Sequence, residues 1–144
     1  MSAERPREIL GRNIRKWREE RGLSQRQLAA RMTEHDYKWS PTTVADLEKS
    51  QRGLATDELF ALGLILAVSP QALFVADAPV RISSQIVVDD PGMFNLWLTG
   101  RARLWADGGE LLVISRPEDI LTTKELVEKR PDLFFDDKSR ESER

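Results

Sequence analysis

Ser24, Ser40, Thr56 and Ser69 each head a short stretch whose apolar residues recur at helical spacing. A serine or threonine in that place accepts a hydrogen bond from one of the backbone N–H groups that a helix leaves unpaired in its first turn. Starts this close together leave room for helices of about three turns at most. Helices that short are marginal alone and gain their stability by packing an apolar face against neighbours. The chain therefore has to fold, over this part, as a bundle of short helices.

The stretches fill in accordingly. In EILGRNIRKWREER, residues 8–21, Ile9, Leu10, Ile14 and Trp17 share one face, and Gly22 follows as a left-handed terminator. Ser24 with Gln27 makes a capping box for a helix over 25–32, with Leu28, Ala29 and Met32 inward. TEHDYKW, residues 33–39, has no period and forms a long turn. Ser40 is the next cap and Pro41 the first helical residue, with Val44 and Leu47 inward and Trp39 stapled onto Val44. Gln51–Ala55 is a loop. Thr56 caps a fourth helix with Leu59, Phe60, Leu62, Gly63, Leu66 and Ala67 inward, and Ser69-Pro70 starts a last turn carrying Leu73 and Phe74. Residues 1–78 are expected to fold as one unit.

Beyond Pro79 the pattern changes. SQIVV at 84–88 is β-rich, and RARLWADGGELLVIS alternates around Asp107-Gly108-Gly109, a hairpin signal. MFNLWLTG suits a helix through Phe94, Trp97 and Leu98 or a strand through Phe94, Leu96 and Leu98. Residues from Arg116 on open a final helix carrying Ile120, Leu121, Leu126 and Val127. The expected fold class is mainly α: a five-helix unit at 1–78, a small α+β accessory or dimerisation segment at 79–136, and a solvated tail at 137–144.

Composition narrows the chemistry. There are no cysteines and a single histidine, His35, so thiolate metal sites, cysteine nucleophiles and histidine-pair zinc sites are excluded. The carboxylate pairs Asp89-Asp90 and Asp136-Asp137 lie in polar turns, with no phosphate loop or nucleophile elbow in the chain, so no catalytic activity and no cofactor are expected. No apolar run approaches the roughly 18 residues of a membrane span, and the charged N-terminus lacks a signal-peptide core; a cytoplasmic protein is expected. Net charge is -2, but Lys and Arg exceed Asp and Glu by 4 in residues 1–56, and the balance is -6 in the remainder. Such asymmetry is a sign of a nucleic-acid-binding end.

Two short helices joined by a turn, the second beginning on a neat cap, describe a helix-turn-helix. In LGRNIRKWREERGLSQRQLA, WSPTTVADLEKSQRG and LFALGLILAVSPQALF, residues 9–74 resemble the lambda-repressor/Cro-like, or Xre, family of transcriptional regulators. The YKWS tract with its lengthened turn is similar to actinobacterial or actinophage members. The first turn of a recognition helix needs short polar residues to approach base edges, and Thr42 and Thr43 fit.

The resemblance implies that Ser40, Pro41, Thr42, Thr43 and Asp46 face DNA, with Gln25 holding a phosphate or base beside them. It also implies that Arg18 and Glu48 form a structural pair joining helix one to helix three. Asp46 departs from the pattern: it either accepts from a cytosine amine or sits at the rim, paired with a lysine. Ser50 stands where the family often has glycine. Arg26, Lys38, Lys49 and Arg52 are candidate phosphate contacts, with Arg12 and Arg15 behind them, and Trp17 and Trp39 are core or staple residues. The implied partners are a double-stranded DNA operator and, through residues 80–130, a second copy of the chain. An antitoxin-type or ligand-sensing protein, its C-terminal segment binding a partner, is the alternative.

Overall fold

The computed structural model describes residues 2–107, 110–115 and 128. Four α-helices, α1 (Pro6–Glu20), α2 (Gln25–Glu34), α3 (Pro41–Glu48) and α4 (Thr56–Leu66), and a 3-10 turn at Pro70–Phe74 form the first part of the chain. A short antiparallel pair, β1 (Val80–Arg81) with β2 (Val87–Val88), leads into α5 (Pro91–Leu98), and β3 (Arg103–Asp107) pairs antiparallel with β4 (Glu110–Ser115). MFNLWL is therefore helical, with Thr99 as the cap that ends it. The hairpin expected at 107–109 is present as the β3–β4 pair, with Asp107 opposite Glu110. The final helix expected from Arg116 and the tail at 137–144 lie outside the described residues.

The helix starts follow from local chemistry. Ser24 and Gln27 exchange backbone contacts, Gln27 N–H to Ser24 Oγ at 3.1 Å and Ser24 N–H to Gln27 Oε1 at 2.8 Å. The helix they open runs two residues past the expected end at 32, to Glu34. Gly22, at φ +68°, supplies the left-handed residue that ends α1. One start is corrected: Ala55, not Thr56, occupies the cap of α4, and Glu58 accepts the Ala55 N–H at 3.0 Å in place of a hydroxyl cap.

The main core joins α1 through Leu10 and Ile14, α2 through Leu28 and Met32, α3 through Val44 and Leu47, α4 through Leu62 and Leu66, and the 3-10 turn through Leu73. Each such side chain contributes about 1.5–3 kcal/mol when fully withdrawn from water. Phe60 and Ala67 were expected inward and are exposed, Phe60 by 57%; Leu64 is exposed by 84%. Because α4 is apolar on nearly every face, its sequence does not say which side the bundle covers.

Close approach of α1 and α3 depends on Gly11. A Cβ there would lie 2.5 Å from the Leu47 carbonyl oxygen and 3.0 Å from that of Glu48. The chain leaves α3 through Ser50 at φ +62°, so a serine takes the left-handed place often held by glycine.

A second, smaller core places Ile9 of α1 against Ala76, Val80, Val88 and Phe94. Glu4 adds a bridge to β1, its N–H donating to the Pro79 carbonyl and its carbonyl accepting from the Arg81 N–H, both at 2.8 Å. Asn95 makes two 2.8 Å bonds to the backbone of Ala76. Helix α1 thus serves both cores, and contacts cross the expected boundary at 78/79.

Candidate nucleic-acid interface

Helix α3 is short and is held along one stripe, by Val44 and Leu47. Its first turn is open. Pro41 and Thr42 are exposed, and the Thr42 hydroxyl makes no hydrogen bond among the described residues. Thr43 is differently engaged: its hydroxyl accepts the Ser40 N–H at 3.2 Å while Ser40 Oγ accepts the Thr43 N–H at 3.3 Å. This reciprocal box consumes Ser40 and Thr43, leaving Thr42 as the free hydroxyl of the turn. Asp46 is half-buried and forms no ion pair with a lysine among the described residues.

The last turn of α3 is tied to α1. Arg18 Nε donates to Glu48 Oε1 and Arg18 Nη2 to Glu48 Oε2 at 3.2 Å, a bidentate pair with side chains only 10% and 6% exposed. The third guanidinium nitrogen donates to the Leu23 carbonyl at 2.8 Å. Gln25, expected beside DNA, gives its amide N–H to Glu48 Oε2 at 2.8 Å. The residue at the start of α2 is thereby fixed to the end of α3, and its amide oxygen remains available.

A further network, not legible in the sequence, brackets α3 from outside. The indole N–H of buried Trp39 donates to Glu58 Oε2, and Arg52 Nη2 donates to both Glu58 oxygens, at 3.0 and 3.2 Å. The Arg52 guanidinium also stands 5.6 Å from the Trp39 ring centre. Burial raises the Glu58 pKa, but the hydrogen bonds from Ala55, Trp39 and Arg52, with the Arg52 charge, outweigh it and hold the carboxyl below its ordinary value. Glu58 at the third helical position signals a capping residue; nothing in the sequence points to its distant partners. Arg52 Nη1 is shielded from solvent and has no acceptor among the described residues.

The other cations divide clearly. Arg12 is held by Glu4 at 2.9 Å and Asp77 at 3.2 Å, and Arg15 by Glu19 at 3.0 Å. Arg21 donates to the Leu66 and Ala67 carbonyls, closing the end of α4. Arg26, Lys38 and Lys49 are exposed and form no ion pair among the described residues. They lie on α2, just before α3 and at its end, respectively. Trp17 is half-buried, its indole N–H 3.4 Å from the Ala72 carbonyl, with Lys16 and Arg21 over its ring.

Among the described residues no cluster of histidines and carboxylates is arranged to hold a metal, and no helix is long and apolar enough to cross a membrane. Asp90, one of the paired carboxylates, caps α5 through the Gly92 N–H at 2.9 Å.

No curated protein and no solved structure gives a significant match to the chain. Residues 14–73, from the middle of α1 to the 3-10 turn, match the helix-turn-helix family HTH_3, and over this part, somewhat under half of its length, the chain is similar to that family.

Proposed function

We propose that the protein is a sequence-specific regulator of transcription, a repressor, that reads the major groove of double-stranded DNA with the first turn of α3. The observation that carries this reading is the state of that turn. Pro41 and Thr42 are exposed, while Glu48 at the other end of the same helix is nearly buried in its pair with Arg18. Base reading requires short groups held rigidly at the groove, and a free hydroxyl and methyl at Thr42 supply them. Arg26, Lys38 and Lys49 would meet phosphates around it, and Gln25 would present its free amide oxygen. Residues 1–78 would form the DNA-binding unit and 79–136 an accessory unit. Through residues 80–130, where Trp97 is 44% exposed, a second copy would pair to double the length of DNA read.

The test is selection of bound duplexes from a random pool with the full chain, followed by affinity measurements on the enriched site and on unrelated duplex. Three phosphate contacts per chain, doubled in the paired complex, predict a log–log salt slope of about -5.4. Thr42→Ala should weaken the enriched site by on the order of tenfold and unrelated duplex hardly at all. Failure to enrich any sequence would overturn the reading. Equal losses on both duplexes would show that Thr42 positions the protein without reading it.

A further inference from the structure

Helix α3 touches the core through a single stripe, so its rotation about its own axis has to be set by something else. Arg18 and Gln25 grip Glu48 at the C-terminal end. The N-terminal end, which would carry the base-reading residues, has no such grip within α3, since the Ser40–Thr43 box is internal to that turn. What lies against both flanks is one carboxylate of α4.

The geometry points to Glu58 as the residue that positions the recognition helix, by holding the residue before its cap and the loop after its end at the same point. The inference rests on the DNA-binding reading above. Trp39 immediately precedes the Ser40 cap, and Arg52 lies four residues beyond Glu48; both donate to Glu58. Glu58 is itself fixed, because Oε1 accepts the Ala55 N–H and the helix beyond it is anchored by the fully buried Leu62 and Leu66. The Arg52 guanidinium over the Trp39 ring joins the two flanks directly as well. The exit of α3 is therefore referenced to α4, and its entry to α4 and also to α2, where the Thr33 hydroxyl donates to the Trp39 carbonyl at 3.2 Å; α4 is referenced to the core. Loosening Glu58 lets α3 turn without unfolding the bundle, since Val44 and Leu47 remain buried.

Such a turn has a selective consequence. Long lysine side chains follow a phosphate through a small displacement, whereas a threonine hydroxyl against a base edge does not. Glu58 then governs the ratio of specific to non-specific affinity more than affinity itself. A residue acting only on stability would leave that ratio unchanged wherever the protein is folded.

The experiment uses the full chain, the duplex enriched by the wild type and an unrelated duplex, well below the unfolding temperature of every variant. Glu58→Gln leaves a single acceptor oxygen, for Ala55 or Trp39 but not for both, and removes the charge that holds Arg52; Trp39→Phe removes the N–H and keeps an aromatic ring, though a smaller one, in the core. The expected result is a fall in the specificity ratio, on the order of tenfold for Glu58→Gln and threefold for Trp39→Phe. Affinity for the unrelated duplex should stay within about twofold or rise as Arg52 is released. If Glu58→Gln does not fold, Trp39→Phe carries the test alone. Enrichment by the wild type with an unchanged ratio in the folded variants overturns the role of Glu58 and leaves the DNA-binding reading standing. Failure of the wild type to enrich any duplex overturns both.

Discussion

Glu48→Ala tests whether α3 is locked to α1. In the wild type, Glu48 accepts two bonds from Arg18 and one from Gln25, at side-chain exposures of 6% for Glu48 and 10% for Arg18. Removing the carboxylate leaves the guanidinium with the Leu23 carbonyl and a 3.8 Å contact to Glu19, and leaves Gln25 without its acceptor. Breaking a buried pair in this way costs about 3–5 kcal/mol, and the small residual exposure argues for the lower end, about 3 kcal/mol. Arg18→Ala should cost about as much, because Glu48 would then keep only Gln25. The double variant has no unpaired charge and should lose only about 4 kcal/mol rather than the sum, a coupling of about 2 kcal/mol. At about 4–8 °C per kcal/mol for a domain of this size, Glu48→Ala should lower the melting temperature by roughly 12–24 °C. Urea and thermal unfolding of the four proteins, followed by far-ultraviolet circular dichroism, give all the required values. Losses that add to within about 0.5 kcal/mol would refute the reasoning, since two side chains that share bonds cannot be independent.

Three other perturbations have expected outcomes. Gly11→Ala gains about 1 kcal/mol of helix propensity but drives a Cβ to 2.5 Å from the Leu47 carbonyl; net destabilisation should follow, and a rise in melting temperature would show that α1 and α3 separate easily. Glu58 has a folded-state pKa below its ordinary value, so its contribution is complete above about pH 5 and disappears as pH falls through the folded value. The stability gap between wild type and Glu58→Gln should narrow on acidification, and a gap that widens would contradict the sign. The fragment 1–78 retains the main core but exposes Ile9, which packs against Val80, Val88 and Phe94 in the full chain. It should fold with reduced stability and scatter light as a monomer while the full chain is a dimer; Trp97→Asp should make the full chain monomeric, whereas a dimer abolished instead by Leu64→Asp would move the contact to α4.

What the sequence settled by itself was local. Ser24 with Gln27, Ser40 with Pro41, and Gly22 act on backbone groups within four residues, so the helix starts and stops they dictate are already present in the chain. The inward positions Leu10, Ile14, Leu28, Met32, Val44 and Leu47 followed from periodicity for the same reason. The Arg18–Glu48 pair could be anticipated only through a resemblance, because nothing in either residue points 30 positions along the chain.

Tertiary structure decided the rest. It placed Arg52 on Glu58 although its neighbours suggested a phosphate, turned Phe60 outward on a helix with no polar face to orient it, and spent Thr43 on a cap while leaving Thr42 free. It also carried Ile9 across the expected boundary into a second core with Phe94. Each of these depends on which elements meet and at what distance. Charge, burial and hydrogen bonding between residues far apart in the chain have no meaning until the bundle closes around them.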